Sequence, residues 1–465
     1  MFANIVNGIN DALYSYVLII VLLLGGLYFT VRTRFAQFRL LGQQFKAVTE
    51  KNGKGVSSFQ ALMVSTASRV GTGNIIGVAT AICVGGFGSV FWMWVIAIIG
   101  GASAFVESTL AQIYKKRGKD GCYGGPAQYI EAATKGKGLA VVFAVFLVLT
   151  YGVGFNMLAS YNLQSTFATY SFYDAKITPW IIGFVIAALV CYCLLGGGKR
   201  IISVTSLLVP IMGAIYILVA IVITLLNANM LPEIFRQIFV GAFDVKAIFG
   251  GFGGSCVMQG IKRGLFSNEA GVGSAPNAAA SADVAHPVKQ GLVQTLSVFI
   301  DTLLVCSATA FLCMSSGVTP PQTSAEAASY VQASLSATLG GVGPIFVTAA
   351  MILFAFTTLL GNLFYVDKTL NYLLGREPGK VLRTCIYIVA SLVIFVGAGL
   401  SADLLWGIAD VLMGGMTVIN MPVILYLGKY AYRALRDYER QVKSGGVRGF
   451  RKADIGLEYE TDYWN

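Results

Sequence analysis

The chain has 465 residues, of which 56% are hydrophobic and only 12% charged, with a mean hydropathy of +0.72. Soluble domains carry about 25% charged residues, so this composition excludes an ordinary soluble domain and indicates a polytopic membrane protein. The net charge is +11, and a single histidine, His286, excludes multi-histidine metal or haem sites. The charge requires no nucleic-acid partner, because basic residues of membrane proteins collect in cytoplasmic loops.

Hydropathy predicts eleven membrane spans in an all-α integral membrane fold, at about residues 12–31, 58–84, 89–113, 139–171, 178–196, 203–227, 245–266, 290–316, 341–371, 381–399 and 403–431. The first is a retained span and not a signal peptide, since no basic segment precedes it and its apolar run is too long. The loops alternate in charge. One side carries Arg32, Arg34 and Arg39, then Lys115, Lys116, Arg117 and Lys119, then Lys199 and Arg200, Lys262, Arg263, Lys289, Arg376 and Arg383. The other side offers only Lys176, Arg236 and Lys246. The positive-inside rule then puts the N-terminus outside and the C-terminus in the cytoplasm. Residues 123–133 read as an interfacial helix and 268–282 as a small-residue helical segment on the cytoplasmic side. The tail from Gly445 reads as polar and mobile. The eight cysteines lie mostly in apolar spans and read as buried free thiols. Cys191-Tyr-Cys193 lacks metal-ligand spacing.

The second span is interrupted by Ser65-Thr-Ala-Ser-Arg-Val-Gly-Thr-Gly-Asn-Ile-Ile-Gly77. Two glycines in three residues weaken a helix. Irregular backbone within a bilayer survives only where protein buries it or it lines a cavity. The seventh span contains Phe249-Gly-Gly-Phe-Gly-Gly-Ser-Cys256 and predicts a second break. One Gly-rich stretch alone is more often a packing face. Two breaks, each in the first helix of a five-span unit, point instead to the binding site of a secondary transporter. The units are residues 58–227 and 228–432, the second inverted because each holds an odd number of spans. Residues 1–57 supply an extra N-terminal helix and loop, and 433–465 a cytoplasmic tail.

A half-helix starting at Thr72–Ile75 directs unpaired N–H groups at the site, which favours a carboxylate by about 0.3–2 kcal/mol. Broken-helix carbonyls suit an ammonium group or Na+, and Asn74, Thr357 and Thr358 offer hard oxygen ligands. An amino acid zwitterion matches both ends. Gly71-Thr-Gly-Asn-Ile-Ile-Gly77 has the wrong spacing for a dinucleotide fingerprint and follows no strand. Gly196-Gly-Gly-Lys-Arg200 lacks the P-loop pattern. Within spans, Arg69, Glu107 and Asp301 are costly charges that read as mutually paired or as a gate or cation path. Asp367 and Asp410, nearer helix ends, read as solvated. An intramembrane enzyme lacks any HExxH or GxSxG motif. A passive channel fits the paired breaks poorly.

These residues resemble the alanine or glycine:cation symporter (sodium:alanine symporter) family over nearly the whole chain. The resemblance rests on Ser68-Arg-Val-Gly-Thr-Gly-Asn-Ile-Ile-Gly77, Phe91-Trp-Met-Trp94, Tyr123-Gly-Gly-Pro-Ala127, Arg263-Gly-Leu-Phe-Ser-Asn-Glu-Ala-Gly-Val-Gly-Ser-Ala-Pro276, His286-Pro-Val-Lys-Gln-Gly291 and Phe299-Ile-Asp-Thr302. It implies a leucine-transporter-like core of ten helices in a 5+5 inverted repeat plus one N-terminal helix. It also implies import of a small neutral amino acid with Na+, sometimes H+, across a bacterial or archaeal inner membrane. By the same resemblance, Thr72, Gly73, Asn74, Gly253, Gly254 and Ser255 bind the substrate main chain. Likeness to the wider fold implies that Na+ is held by the Ala67 and Val70 carbonyls with Thr357 and Thr358. Two places depart from the alanine-type pattern. Gly361-Asn362 stands where a Gly-Trp pair is usual, and Asn156-Met-Leu-Ala-Ser-Tyr-Asn162-Leu-Gln164 varies the polar set of span four. Replacing an indole by Asn362 implies a wider, more polar pocket that takes a longer side chain such as glutamine. Partners are thus an amino acid, Na+ and the lipid bilayer, with the oligomeric state left open. H+ coupling through Glu107 or Asp301 is the alternative.

Overall fold

The computed structural model describes residues 2–50, 55–118, 121–244 and 255–464. Helices make up nearly all of it, as they must where lipid leaves backbone polar groups no other partner. Among the described residues seven helices are long and apolar enough to cross a membrane, and an eighth if the bent pair Ser58–Arg69 and Gly73–Gly85 counts as one span. The seven are Gly88–Ile113, Gly138–Ser165, Gly197–Leu226, Pro287–Met314, Val342–Leu374, Lys380–Gly397 and Ala402–Lys443. Two shorter apolar helices, Ile19–Arg32 and Thr178–Leu194, fall on the remaining expected spans outside the seventh. Of that seventh span, residues 245–254 lie outside the described residues, and its remainder begins the helix Cys256–Asn268.

Gly88–Ile113 runs through the middle of the bundle. Its residues from Gly100 to Ile113 are all buried, polar ones included. It packs against Pro287–Val298 and Cys256–Asn268, and these buried polar faces meet each other rather than lipid. The lipid-facing helices are the reverse: Leu207, Leu218 and Leu225 on Gly197–Leu226 are exposed apolar residues.

The basic loops gather at one end. Lys289 pairs with Glu50 at 2.6 Å, Arg39 with Glu439 at 2.6 Å, and Lys116 with Asp462 at 2.9 Å. A short antiparallel ribbon of Lys116–Gly118 with Gly121–Tyr123, which hydropathy and charge do not predict, precedes the helix Pro126–Thr134. Within 268–282, past Asn268 at the end of the preceding helix, only Pro276–Ser281 is helical, because Glu269, Gly271 and Gly273 take positive φ and turn the chain before it.

The span expected at 403–431 lies in a helix that continues to Lys443. One expectation is corrected at this end. The tail beyond that helix is not free: Phe450, Ile455, Leu457 and Trp464 are buried. Trp464 donates its indole N–H to the Gln112 carbonyl at 2.7 Å, and Tyr463 donates to Asp283 at 2.8 Å. The aromatic residues of an otherwise polar segment supply enough apolar surface to dock it.

Candidate substrate and cation site

The first break is where the sequence puts it. Ser57 caps the leading half-helix, accepting the Gln60 N–H while the Gln60 side chain accepts the Ser57 N–H. That half ends at Arg69, and the chain bends by 50° before resuming at Gly73. Asn74 stitches the bend, its Oδ1 accepting the Gly71 N–H at 2.7 Å. The glycines are required by close approach. A Cβ on Gly71 would overlap Thr358 Oγ1, and one on Gly73 would lie 2.7 Å from the Phe266 ring.

Around this bend the fold assembles five of the expected residues, Thr72, Asn156, Asn162, Thr358 and Asn362. Asn162 Nδ2 donates to Thr72 Oγ1 at 3.3 Å, and Asn362 Nδ2 donates to Asn156 Oδ1 at 3.0 Å. Asn156, Asn162 and Asn362 are fully buried. Buried polar atoms nearly always have partners, yet Asn156 Nδ2, Asn162 Oδ1 and Thr358 Oγ1 have none among the described residues. These atoms offer a donor, an acceptor and a hydroxyl, which fits a small polar ligand. Aromatic rings close one side: Phe155 lies 4.5 Å and Trp406 4.9 Å from Phe266 between ring centroids.

Other expected residues stand elsewhere. The Asn74 side chain donates to Asp301 Oδ1 at 2.7 Å and Ser267 Oγ at 3.1 Å. Gln164 accepts from the Tyr173 hydroxyl at 3.0 Å beside a cavity of about 330 Å³ at the end opposite the basic loops. Ser255 caps the helix Cys256–Asn268 by accepting the Met258 N–H at 3.1 Å. Gly253 and Gly254, and with them the second break, lie outside the described residues.

The expected cation ligands divide. Val70 ends the first half-helix in a non-helical conformation, and Ala67 lies one turn earlier. Thr358 Oγ1 faces the bend, so it fits a hard cation. Thr357 Oγ1 instead donates to the Leu353 carbonyl at 2.9 Å and faces Met212 Sδ at 3.4 Å, a soft neighbour that does not suit Na+.

The buried charges are more numerous than Arg69, Glu107 and Asp301. Arg69 is held by Gln294 Oε1 at 2.9 Å, within electrostatic reach of Glu107, Glu269 and Asp301. Each carboxylate has its own donors. Glu107 takes the Gly271 N–H and Asn420, Asp301 takes Asn74, Ser267 and Thr302, and Glu269 takes Ser68 and Ser274. Glu269 was not singled out from the sequence, although an acid inside a run of small residues was its available signal. Asp410, expected to be solvated, is buried in an ion pair with Arg263. Asp367 is likewise buried, against Tyr387 and Arg383. A second cavity of about 670 Å³, lined by Gln60, Ser206, Phe364 and Asp367, opens on the basic end.

Comparison with known proteins agrees with this architecture. The profile of the sodium:alanine symporter family matches residues 1–452. The amino-acid carrier protein AlsT of Bacillus subtilis is 41% identical, over 100% of this chain and 98% of that protein. The probable sodium/glutamine symporter GlnT of the same organism is 40% identical, over 99% of this chain and 96% of its own length. A solved structure of a Na+-coupled sialic acid symporter, in a substrate-bound outward-open state, superposes with a TM-score of 0.50. It covers 92% of this chain and 86% of that one at 15% identity, a likeness of fold. The chain therefore belongs to the sodium:alanine symporter family, as a multi-pass amino-acid transporter with Na+ as its co-transported ion.

Proposed function

We propose that this chain imports a small neutral amino acid of the alanine and glycine class, glutamine included, at the bend between Arg69 and Gly73. The observation that carries this reading is the set of buried polar atoms near that bend that have no partner among the described residues, Asn156 Nδ2, Asn162 Oδ1 and Thr358 Oγ1. The substrate carboxylate meets the N–H groups at Thr72 and Gly73, where the restarting helix carries partial positive charge. Its side chain extends toward Asn156 and Asn362, whose amides complement a carboxamide. Na+ sits beside Thr358 and the carbonyls of Ala67 and Val70. In this proposal the protein spans the membrane eleven times around a 5+5 inverted-repeat core, its N-terminus outside and its basic end in the cytoplasm. The crowding of Lys and Arg at one end supports that orientation.

The driving force is adequate. One Na+ crossing 100 mV contributes about 2.3 kcal/mol, and a tenfold gradient adds about 1.4 kcal/mol. Together, about 3.7 kcal/mol sustains roughly 500-fold accumulation of a neutral substrate at one-to-one coupling. A proton-coupled reading is carried by Asp301, a buried carboxylate beside the bend. Radiolabelled glutamine uptake into proteoliposomes at constant pH, with an inward Na+ gradient and alanine as competitor, separates the readings. Uptake that collapses when K+ replaces Na+ supports Na+ symport. Uptake that ignores Na+ and follows an imposed pH gradient supports the proton. Asn362→Trp shifts preference toward alanine; unchanged selectivity sinks the role given to Asn362.

A further inference from the structure

Ser68 Oγ stands between two acceptors far from it in the sequence, 201 and 294 positions on. It lies 3.0 Å from Glu269 Oε1 and 2.7 Å from Asn362 Oδ1. All three residues are buried, Glu269 at 1% exposure and Asn362 at 0%. A serine hydroxyl has one proton, and neither a carboxylate nor an amide oxygen can return one. The two acceptors therefore compete for a single hydrogen bond. A carboxylate is the stronger acceptor, since charge-assisted hydrogen bonds are roughly twice as strong as neutral ones. Burial pushes the Glu269 carboxyl up to about 7, opposed chiefly by Arg69 on the same half-helix as Ser68, so the carboxylate is the form present above that pH; Glu107, Tyr151 and Tyr365 face it from the three helices around it. Ser274 fixes the other carboxylate oxygen, donating at 2.7 Å. Glu269 is held in place by a left-handed turn at φ +54°, an unusual conformation for a residue with a side chain.

The consequence falls on Asn362. Its Nδ2 is committed to Asn156, and its Oδ1 is the other acceptor competing for the Ser68 hydroxyl. We propose that Glu269 is a specificity-determining, positioning residue: by taking the only proton of Ser68 it leaves Asn362 Oδ1 an open acceptor, which selects substrates whose side chain carries an N–H donor. This rests on the reading that Asn362 lines the substrate site. Glu269 does not touch the substrate and acts through Ser68.

The test uses full-length protein in proteoliposomes, with Na+-driven radiolabelled alanine uptake as reporter and glutamine and alanine as competing substrates. In Glu269→Gln the new amide donates to Ser68, so the serine proton turns to Asn362 and closes the acceptor. Apparent KM for glutamine rises about tenfold or more, the scale of one lost hydrogen bond, while that for alanine stays within about threefold. Ser68→Ala keeps the acceptor open and preserves the wild-type preference. Adding Ser68→Ala to Glu269→Gln restores glutamine affinity, a rescue that a merely structural role does not produce. Equal losses for both substrates in Glu269→Gln, or a double variant without rescue, overturn the proposal. If Glu269→Gln does not fold, Ser68→Ala alone decides: retained preference supports the inference and lost preference overturns it. Asn362→Ala separates the two layers. Selectivity that Asn362→Ala leaves unchanged sinks the reading of the site and this inference together. Selectivity that Asn362→Ala shifts but Glu269→Gln does not overturns the inference only.

Discussion

Arg263 and Asp410 form a buried ion pair, Nη2 to Oδ2 at 3.0 Å, with side-chain exposures of 5% and 1%. The guanidinium also lies over the Trp406 ring, 3.9 Å from its centroid, and so ties the helix Cys256–Asn268 to the last helix beside the aromatic wall of the site. Removing one partner of a buried pair leaves an unpaired charge, which costs about 3–5 kcal/mol. Asp410→Asn therefore lowers the thermal unfolding midpoint in detergent strongly. Adding Arg263→Met recovers most of the loss. A single variant with wild-type stability contradicts this account of the pair.

The two threonines of Val342–Leu374 are adjacent in sequence and differ in surroundings. Thr358 Oγ1 faces the bend without a partner among the described residues, whereas Thr357 Oγ1 is bonded to its own helix. Thr358→Ala raises the Na+ concentration for half-maximal uptake by about tenfold, the effect of about 1.4 kcal/mol. Thr357→Ala moves it by less than about threefold. Titrating uptake against Na+ distinguishes them, and equal effects would discount the contrast.

Trp464 bonds to the Gln112 carbonyl and packs on Phe450, with ring centroids 5.4 Å apart. Lys115 Nζ lies 3.7 Å from the centroid of the neighbouring Tyr463 ring. Burial pushes the Lys115 ammonium down to about 8, as expected for a cation enclosed by apolar groups. Trp464→Ala costs about 3 kcal/mol of docking energy, by analogy with buried tryptophans. Limited proteolysis should then cleave after Lys443 much faster than in the wild type. Unchanged cleavage would mean the tail is not held by this residue.

His286 caps the helix Pro287–Val298, accepting the Val288 N–H at 3.2 Å, and faces Asp437 at 3.3 Å. Burial lowers its imidazole to about 4, against the opposing pull of Asp437. The folded-state value lies below the ordinary 6.5 of the unfolded chain. The unfolded chain therefore binds this proton first as pH falls. The contribution is fully present above 6.5 and is lost as pH drops toward about 4. Unfolding midpoints of the wild type and His286→Gln, measured across that window, should converge at acid pH. Parallel curves would remove His286 from the acid response.

What was legible in the sequence is local or periodic. The bend at Arg69–Gly73 follows from glycine and asparagine set in an apolar run, since helix interruption depends on neighbours within a turn. Span positions and the basic end follow from hydropathy and loop charge, which are additive along the chain. The tertiary structure decided which buried polar groups meet. Ser68 reaches Glu269 and Asn362 across 201 and 294 positions, and Arg263 reaches Asp410 across 147. Span order and register set these pairings, and neither can be read from residue type. Asp410 near a helix end looked solvated because helix position alone does not reveal a neighbour. The tail looked mobile because its charge was visible while the complementary surface formed by Gln112, Lys115 and Asp283 was not. The sequence alone thus determined that the chain spans a membrane and breaks a helix around a polar site. Only the three-dimensional packing decided which side chains face that site, because each desolvated polar group must find its partner wherever the fold brings one near.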